Sequence, residues 1–152
     1  MSTTLQLLGS QHQEVLARMQ SVETDLTQAS DLADFAVFLE EDVRAHFALE
    51  EHALFPVLGR HLSQTQGPLA VMNAEHAAFG DLLHEFTSAL QGSDPTRQRA
   101  CAAELIHLLR DHIDKEDHVL FPIAGRMLGP DELREVDERG AALAHADART
   151  SH

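Results

Sequence analysis

Tryptophan and tyrosine are absent from the 152 residues, and cysteine occurs once. Without tyrosine, neither a tyrosyl radical nor a tyrosinate ligand is available. Cys101 has no partner for an internal bridge, which excludes a disulfide scaffold. The N-terminus also lacks the charged, then apolar, then small-residue layout of a signal peptide, so a reducing cytoplasm is the expected compartment. No apolar run nears the roughly 20 residues that a membrane span takes. Basic residues are scarce as well: 11 Lys and Arg stand against 25 Asp and Glu, a formal net charge of -14. Such a surface repels nucleic acid and anionic membranes and favours cations. Nothing alternates with period two over a useful length, so no strand is expected.

Histidine, by contrast, is abundant, with 11 copies. It is the commonest metal ligand, and its placement is orderly. Apolar residues recur at helical spacing in four stripes. Leu5, Leu8, Val15, Leu16, Met19, Val22 and Leu26 form the first, with His12 inside it. Ser30 is the expected N-cap of the second, which runs through Leu32, Phe35, Ala36, Leu39 and Val43 to His46, and Pro56 is expected to kink or end that helix. The third runs Leu69, Met72, His76, Phe79, Leu83, Phe86, Leu90 and closes at "GSDP", where Pro95 suits a new first turn. The fourth runs Cys101, Leu105, Leu108, His112, Glu116, Val119, with a kink expected at Pro122. Gly129-Pro130 sets off an acidic tail helix. The expected fold is all-α. It is a single domain over 1–152, an antiparallel up-down-up-down four-helix bundle over roughly 5–128 with a short C-terminal helix over roughly 130–146. An open or domain-swapped pairing would need longer connections.

Two stretches nearly repeat: "HFALEEHALFP" from His46 to Pro56 and "HIDKEDHVLFP" from His112 to Pro122. His12 precedes the first by nearly the interval at which His76 precedes the second, so the halves of the chain match. A residue four positions on is turned only about 40° and raised about 6 Å, which puts His46 with Glu50, and His112 with Glu116, on one helix face. All interrupt apolar stripes. A buried carboxylate without a partner is too costly to stay charged, and a metal supplies that partner. Imidazole and carboxylate donors together suit iron, manganese or zinc better than calcium or copper(I). If each of two ions takes two histidines and both glutamates bridge, each has four protein donors and positions left for an oxo, hydroxo or diatomic ligand.

These residues resemble the hemerythrin-like (HHE cation-binding) family, whose pattern is a histidine on helix one, His-x-x-x-Glu before Leu-Phe-Pro on helix two, a histidine on helix three and His-x-x-x-Glu on helix four. Here the matching residues are His12, His46 with Glu50, His76, and His112 with Glu116. The resemblance implies a four-helix bundle around a non-haem di-iron centre, oxo- or hydroxo-bridged, that handles oxygen, nitric oxide or peroxide. Oxygen-carrying members have a further histidine where this chain has Met72, and an aspartate in place of Glu116. The pattern therefore looks like the four-histidine, two-glutamate version of bacterial hemerythrin-like domains and of proteins that repair iron centres after nitrosative stress. The sequence shows no counterpart of the cysteine-bearing N-terminal domain of many such repair proteins. Both a binding or sensing role and a reductase role fit, as does an iron buffer; a zinc-stabilised bundle is the structural rival.

Other residues are assigned away from the metals. His52 and His118, six positions past the cassette histidines, are turned about 240° from them and belong to the rim or surface. Glu51 and Asp117 are expected to be solvated or to support the ligands from behind. Met72 and Cys101 read as core, and Gly80 either as a close helix contact or as the opening of a tunnel. The Glu-x-x-His spacing of ferritin-like sites occurs once, at Glu104 to His107.

Overall fold

A computed structural model describes residues 2–24 and 29–150, and the chain is all-helical, with no strand among the described residues. Helix α1 spans Thr3–Thr24, α2 spans 29–58, α3 spans Pro68–Gln91, α4 spans 95–127 and α5 spans Pro130–Thr150. None is long and apolar enough to cross a membrane. Leu26, at the end of the first stripe, lies outside the described residues. The described part of α2 begins at Ala29, and the expected cap at Ser30 rests on contacts that lie outside the described residues.

The helix boundaries follow from local chemistry. Gly67 takes φ 87°, which glycine adopts without a β-carbon clash, and Pro68 opens α3 where a missing N–H costs nothing. Asp94 caps α4, its carboxylate accepting from the N–H groups of Thr96 and Arg97, with Pro95 as the first helical residue. Gln98 then ties the two helices together by donating to the carbonyls of Ala89 and Gly92. Asp137 of α5 caps α1 from outside, accepting from Ser2 Oγ at 2.6 Å and from the N–H groups of Thr3 and Thr4. Helix α5 can lie this close because residue 140 is glycine: a β-carbon there would meet Thr4 Oγ1 at 2.8 Å.

The helix that carries Pro56 ends soon after it, at Leu58, as expected, and the one that carries Pro122 runs on to Met127. A proline ring collides with the carbonyl four residues back, here that of His52 or His118. The helix answers by widening into π turns at Glu50–Leu54 and Glu116–Leu120, where the N–H of Phe55 donates to Glu50 O and that of Phe121 to Glu116 O. Each wide turn thus begins on the cassette glutamate. A third, Leu39–Val43, has no proline behind it.

The interior is divided. One apolar cluster takes Val15, Met19 and Val22 of α1, Leu32 to Phe47 of α2, Phe79 to Ala89 of α3 and Cys101 to Ile113 of α4. The other takes Leu8, then Leu49 to Leu58, Leu69 and Met72, Leu120 to Leu128, and Val136 of α5. Between them, at the matching level of each of the first four helices, lies a buried polar layer: His12, His46, Glu50, His76, His112 and Glu116.

Candidate metal centre

All six residues named from the sequence meet in that layer. They form two overlapping donor groups, His12, His46, Glu50 and Glu116, and Glu50, His76, His112 and Glu116, each with one donor atom per residue and all donors of a group within 4.8 Å of one another. The two glutamates belong to both groups and each histidine to one. Glu116 Oε1 lies 2.9 Å from His12 Nε2, 3.4 Å from His112 Nε2 and 3.7 Å from His46 Nε2. Glu50 Oε1 lies 3.1 Å from His76 Nε2 and 3.9 Å from His112 Nε2, while its Oε2 faces His46 Nε2 at 3.6 Å.

Each histidine turns Nε2 inward because its Nδ1 is held from behind. Asp117 Oδ1 takes that of His12 at 2.7 Å and Gln11 Oε1 that of His46 at 2.8 Å. Glu51 Oε1 holds His76 at 3.0 Å and Glu75 Oε1 holds His112 at 2.9 Å. An acceptor at Nδ1 fixes the tautomer that leaves Nε2 free to coordinate. Stacked rings hold the imidazole planes: Phe47 lies over His76 with centroids 3.9 Å apart, and Phe121 over His12 at 5.3 Å. Of the two roles the sequence left open for Glu51 and Asp117, the structure shows them hydrogen-bonded behind layer histidines. Gln11 and Glu75 escape a sequence reading, because each adjoins a layer histidine along the chain yet serves one on the next helix.

The donors fit a cation. Glu50 Oε2, His112 Nε2 and Glu116 Oε2 are buried without a hydrogen-bond partner, an arrangement that is costly unless something positive joins them. Burial, and then the charge of Glu116, pushes the Glu50 carboxyl well above the usual range. Burial acts the same way on Glu116, but contacts with Glu50 and the histidines hold it well below that range. Burial lowers His46 and His76. It would lower His12 and His112 too, but the acids around them raise both, His112 to about 11. A metal held by His112 would displace its proton. Affinity should therefore rise at least about tenfold per pH unit from about pH 6 to 8, on the side of the His112 pKa where the proton is still bound. The rise should be steeper where the raised Glu50 carboxyl also gives up a proton. Calorimetry in buffers of different ionisation enthalpy should count at least that one released proton, and a pH-independent affinity would remove His112 from the ligand set.

The remaining residues lie elsewhere. His52 and His118 are exposed, as are Glu104 and His107, so the ferritin-like spacing faces solvent. Cys101 and Met72 are buried among apolar side chains. A β-carbon at Gly80 would meet nothing within 4 Å, so close packing is not what requires glycine there.

Comparison with known proteins agrees with this geometry. The hemerythrin HHE cation binding domain matches residues 3–124. The iron-sulfur cluster repair protein YtfE of Escherichia coli O139:H28 (strain E24377A / ETEC) is 35% identical over 103 residues, covering 61% of this chain and 46% of that protein. YtfE of Escherichia coli strain K12 / DH10B and of Shigella boydii serotype 18 align to the same extent. The chain thus spans about half the length of these curated relatives. No solved structure gives a significant match. With the donor layer in place and the match running over most of its length, the chain belongs to the hemerythrin HHE cation binding domain family.

Proposed function

We propose that this chain is a non-haem di-iron protein whose core binds or reduces oxygen, nitric oxide or peroxide. His12 and His46 would hold one iron, His76 and His112 the other, and Glu50 and Glu116 would bridge them. The observation that carries this reading is the set of three partnerless buried atoms, one on each glutamate and one on His112, among inward-facing imidazole nitrogens. The alternating halves of α1 to α4 in the two apolar clusters support an antiparallel up-down-up-down bundle around the pair, with α5 across one end. Manganese or zinc could use the same donors. The name of the YtfE relatives, which speaks of iron-sulfur cluster repair, supports iron.

Bound iron would supply one-electron redox changes and coordination positions beyond the protein donors. The chain's own residues do the rest. The glutamates tie the two positions together and offset their charge. Gln11, Glu51, Glu75 and Asp117 keep the rings aimed, so that little reorganisation accompanies a change of charge at the centre. The apolar clusters on both sides exclude bulk water, strengthening every charge interaction in the layer.

The deciding experiment loads the protein with iron, reduces it without air, and records the visible spectrum on adding oxygen, nitric oxide or peroxide separately. A change that reverses on removing the gas favours binding, and consumption beyond one equivalent favours reduction. Silence toward all three rejects the reading. The relatives' name supports a second use of the same centre, in iron-sulfur cluster repair; restoration of a damaged cluster protein by the iron-loaded chain would reveal it.

A further inference from the structure

The two histidine pairs are related by the repeat of the chain, but their surroundings are not equal. His12 and His76 are each backed by a carboxylate, Asp117 and Glu51. The cassette histidines differ. His112 donates to the carboxylate of Glu75, whose other oxygen meets Lys115 Nζ at 2.5 Å, and Lys115 reaches Asp111 at 2.9 Å. His46, at the equivalent place, has only the neutral amide of Gln11 behind it, and Leu49 occupies the position that Lys115 takes in the second cassette.

A carboxylate accepting the Nδ1–H draws the imidazole toward imidazolate and makes Nε2 a stronger donor, whereas an amide oxygen orients the ring with less effect on its basicity. The pair His76 and His112 is therefore backed by two carboxylates, and His12 and His46 by one. The glutamates do not cancel the difference, because both are shared by the two groups. The Glu75 arm is also the better fixed of the two cassette supports: Glu75 is 13% exposed and pinned by Lys115. Resting on the dinuclear reading above, we propose that the two metal positions are unequal, the His76/His112 position binding its ion more tightly and filling first, and that Gln11 and Glu75, as positioning residues, set this order.

Cobalt(II) titration of the full-length metal-free chain tests it, with visible absorption and a chromophoric chelator giving the stepwise constants. Repulsion between neighbouring dications separates the steps even at identical positions, so the decisive measurement is which position fills first. At one equivalent of cobalt, paramagnetically shifted Nδ1–H proton resonances should belong to His76 and His112. Gln11→Glu, nearly isosteric, should tighten the weaker step by about 10-fold, and Glu75→Gln should weaken the tighter one by about 10- to 100-fold. Combining both substitutions should make His12 and His46 shift first, an inversion that a merely structural role for either residue would not produce. If the wild-type chain binds no cobalt at the six residues, the dinuclear reading fails. If it binds two ions there but fills His12 and His46 first, or if the double substitution leaves the order unchanged, the reading stands and the inequality is overturned.

Discussion

Stripping the metal with a chelator should lower the melting temperature by at least roughly 8 °C while leaving the chain helical. Even one ion, present at about a thousand times its Kd, adds about 4 kcal/mol to stability and a second adds to it, and for a domain of this size each kcal/mol moves the midpoint by about 2–4 °C. Two opposing features bound the effect. Without a cation, Glu50 and Glu116 share a dry layer with unpartnered oxygens, which destabilises the fold. Protons relieve part of that cost, since His112 and Glu50 both have raised pKa values. Apolar clusters above and below the layer persist in either case, so the loss should appear as an earlier, still cooperative transition and not as collapse at room temperature. Scanning calorimetry of loaded and chelated protein at one pH checks this. Equal midpoints would mean that the layer binds nothing tightly.

The sequence made the donor layer legible because helical periodicity is local. His46 and Glu50, or His112 and Glu116, share a face whatever the helix packs against, and each broke an apolar stripe that needed a reason to be broken. The same rule placed His52 and His118 outside. What periodicity could not convey was any relation between helices. Gln11 and Glu75 look like ordinary polar neighbours of His12 and His76, and their roles exist only once α2 and α4 bring His46 and His112 against them. The prolines were legible only in part, for a related reason. Read alone, Pro56 kinks or ends its helix and Pro122 kinks its own. The helix does end at Leu58, shortly after Pro56, but the widening of the turn before each proline is a response of the folded backbone that no sequence signal announces. The π turn at Leu39–Val43 has no counterpart in the sequence signals, and nothing in the structure accounts for it.

Sharing of the glutamates leads to the sharpest test of the layer, because it separates residues by how many ions they serve. His46 belongs to one donor group, so His46→Ala should leave the other group complete and reduce iron from about two per chain to about one. Glu116 belongs to both, so Glu116→Ala should take the content close to zero: each position loses a donor, and two dications would face each other across Glu50 alone. His52→Ala, on the solvent side, should match the wild type. Elemental analysis per folded chain, with circular dichroism to confirm helix content, reads all three. Retention of about one iron by Glu116→Ala would show that Glu116 serves a single position and that the two groups do not share it. Equal losses from His46→Ala and His52→Ala would be more damaging, because they would contradict the helical-face argument on which the whole layer was first identified.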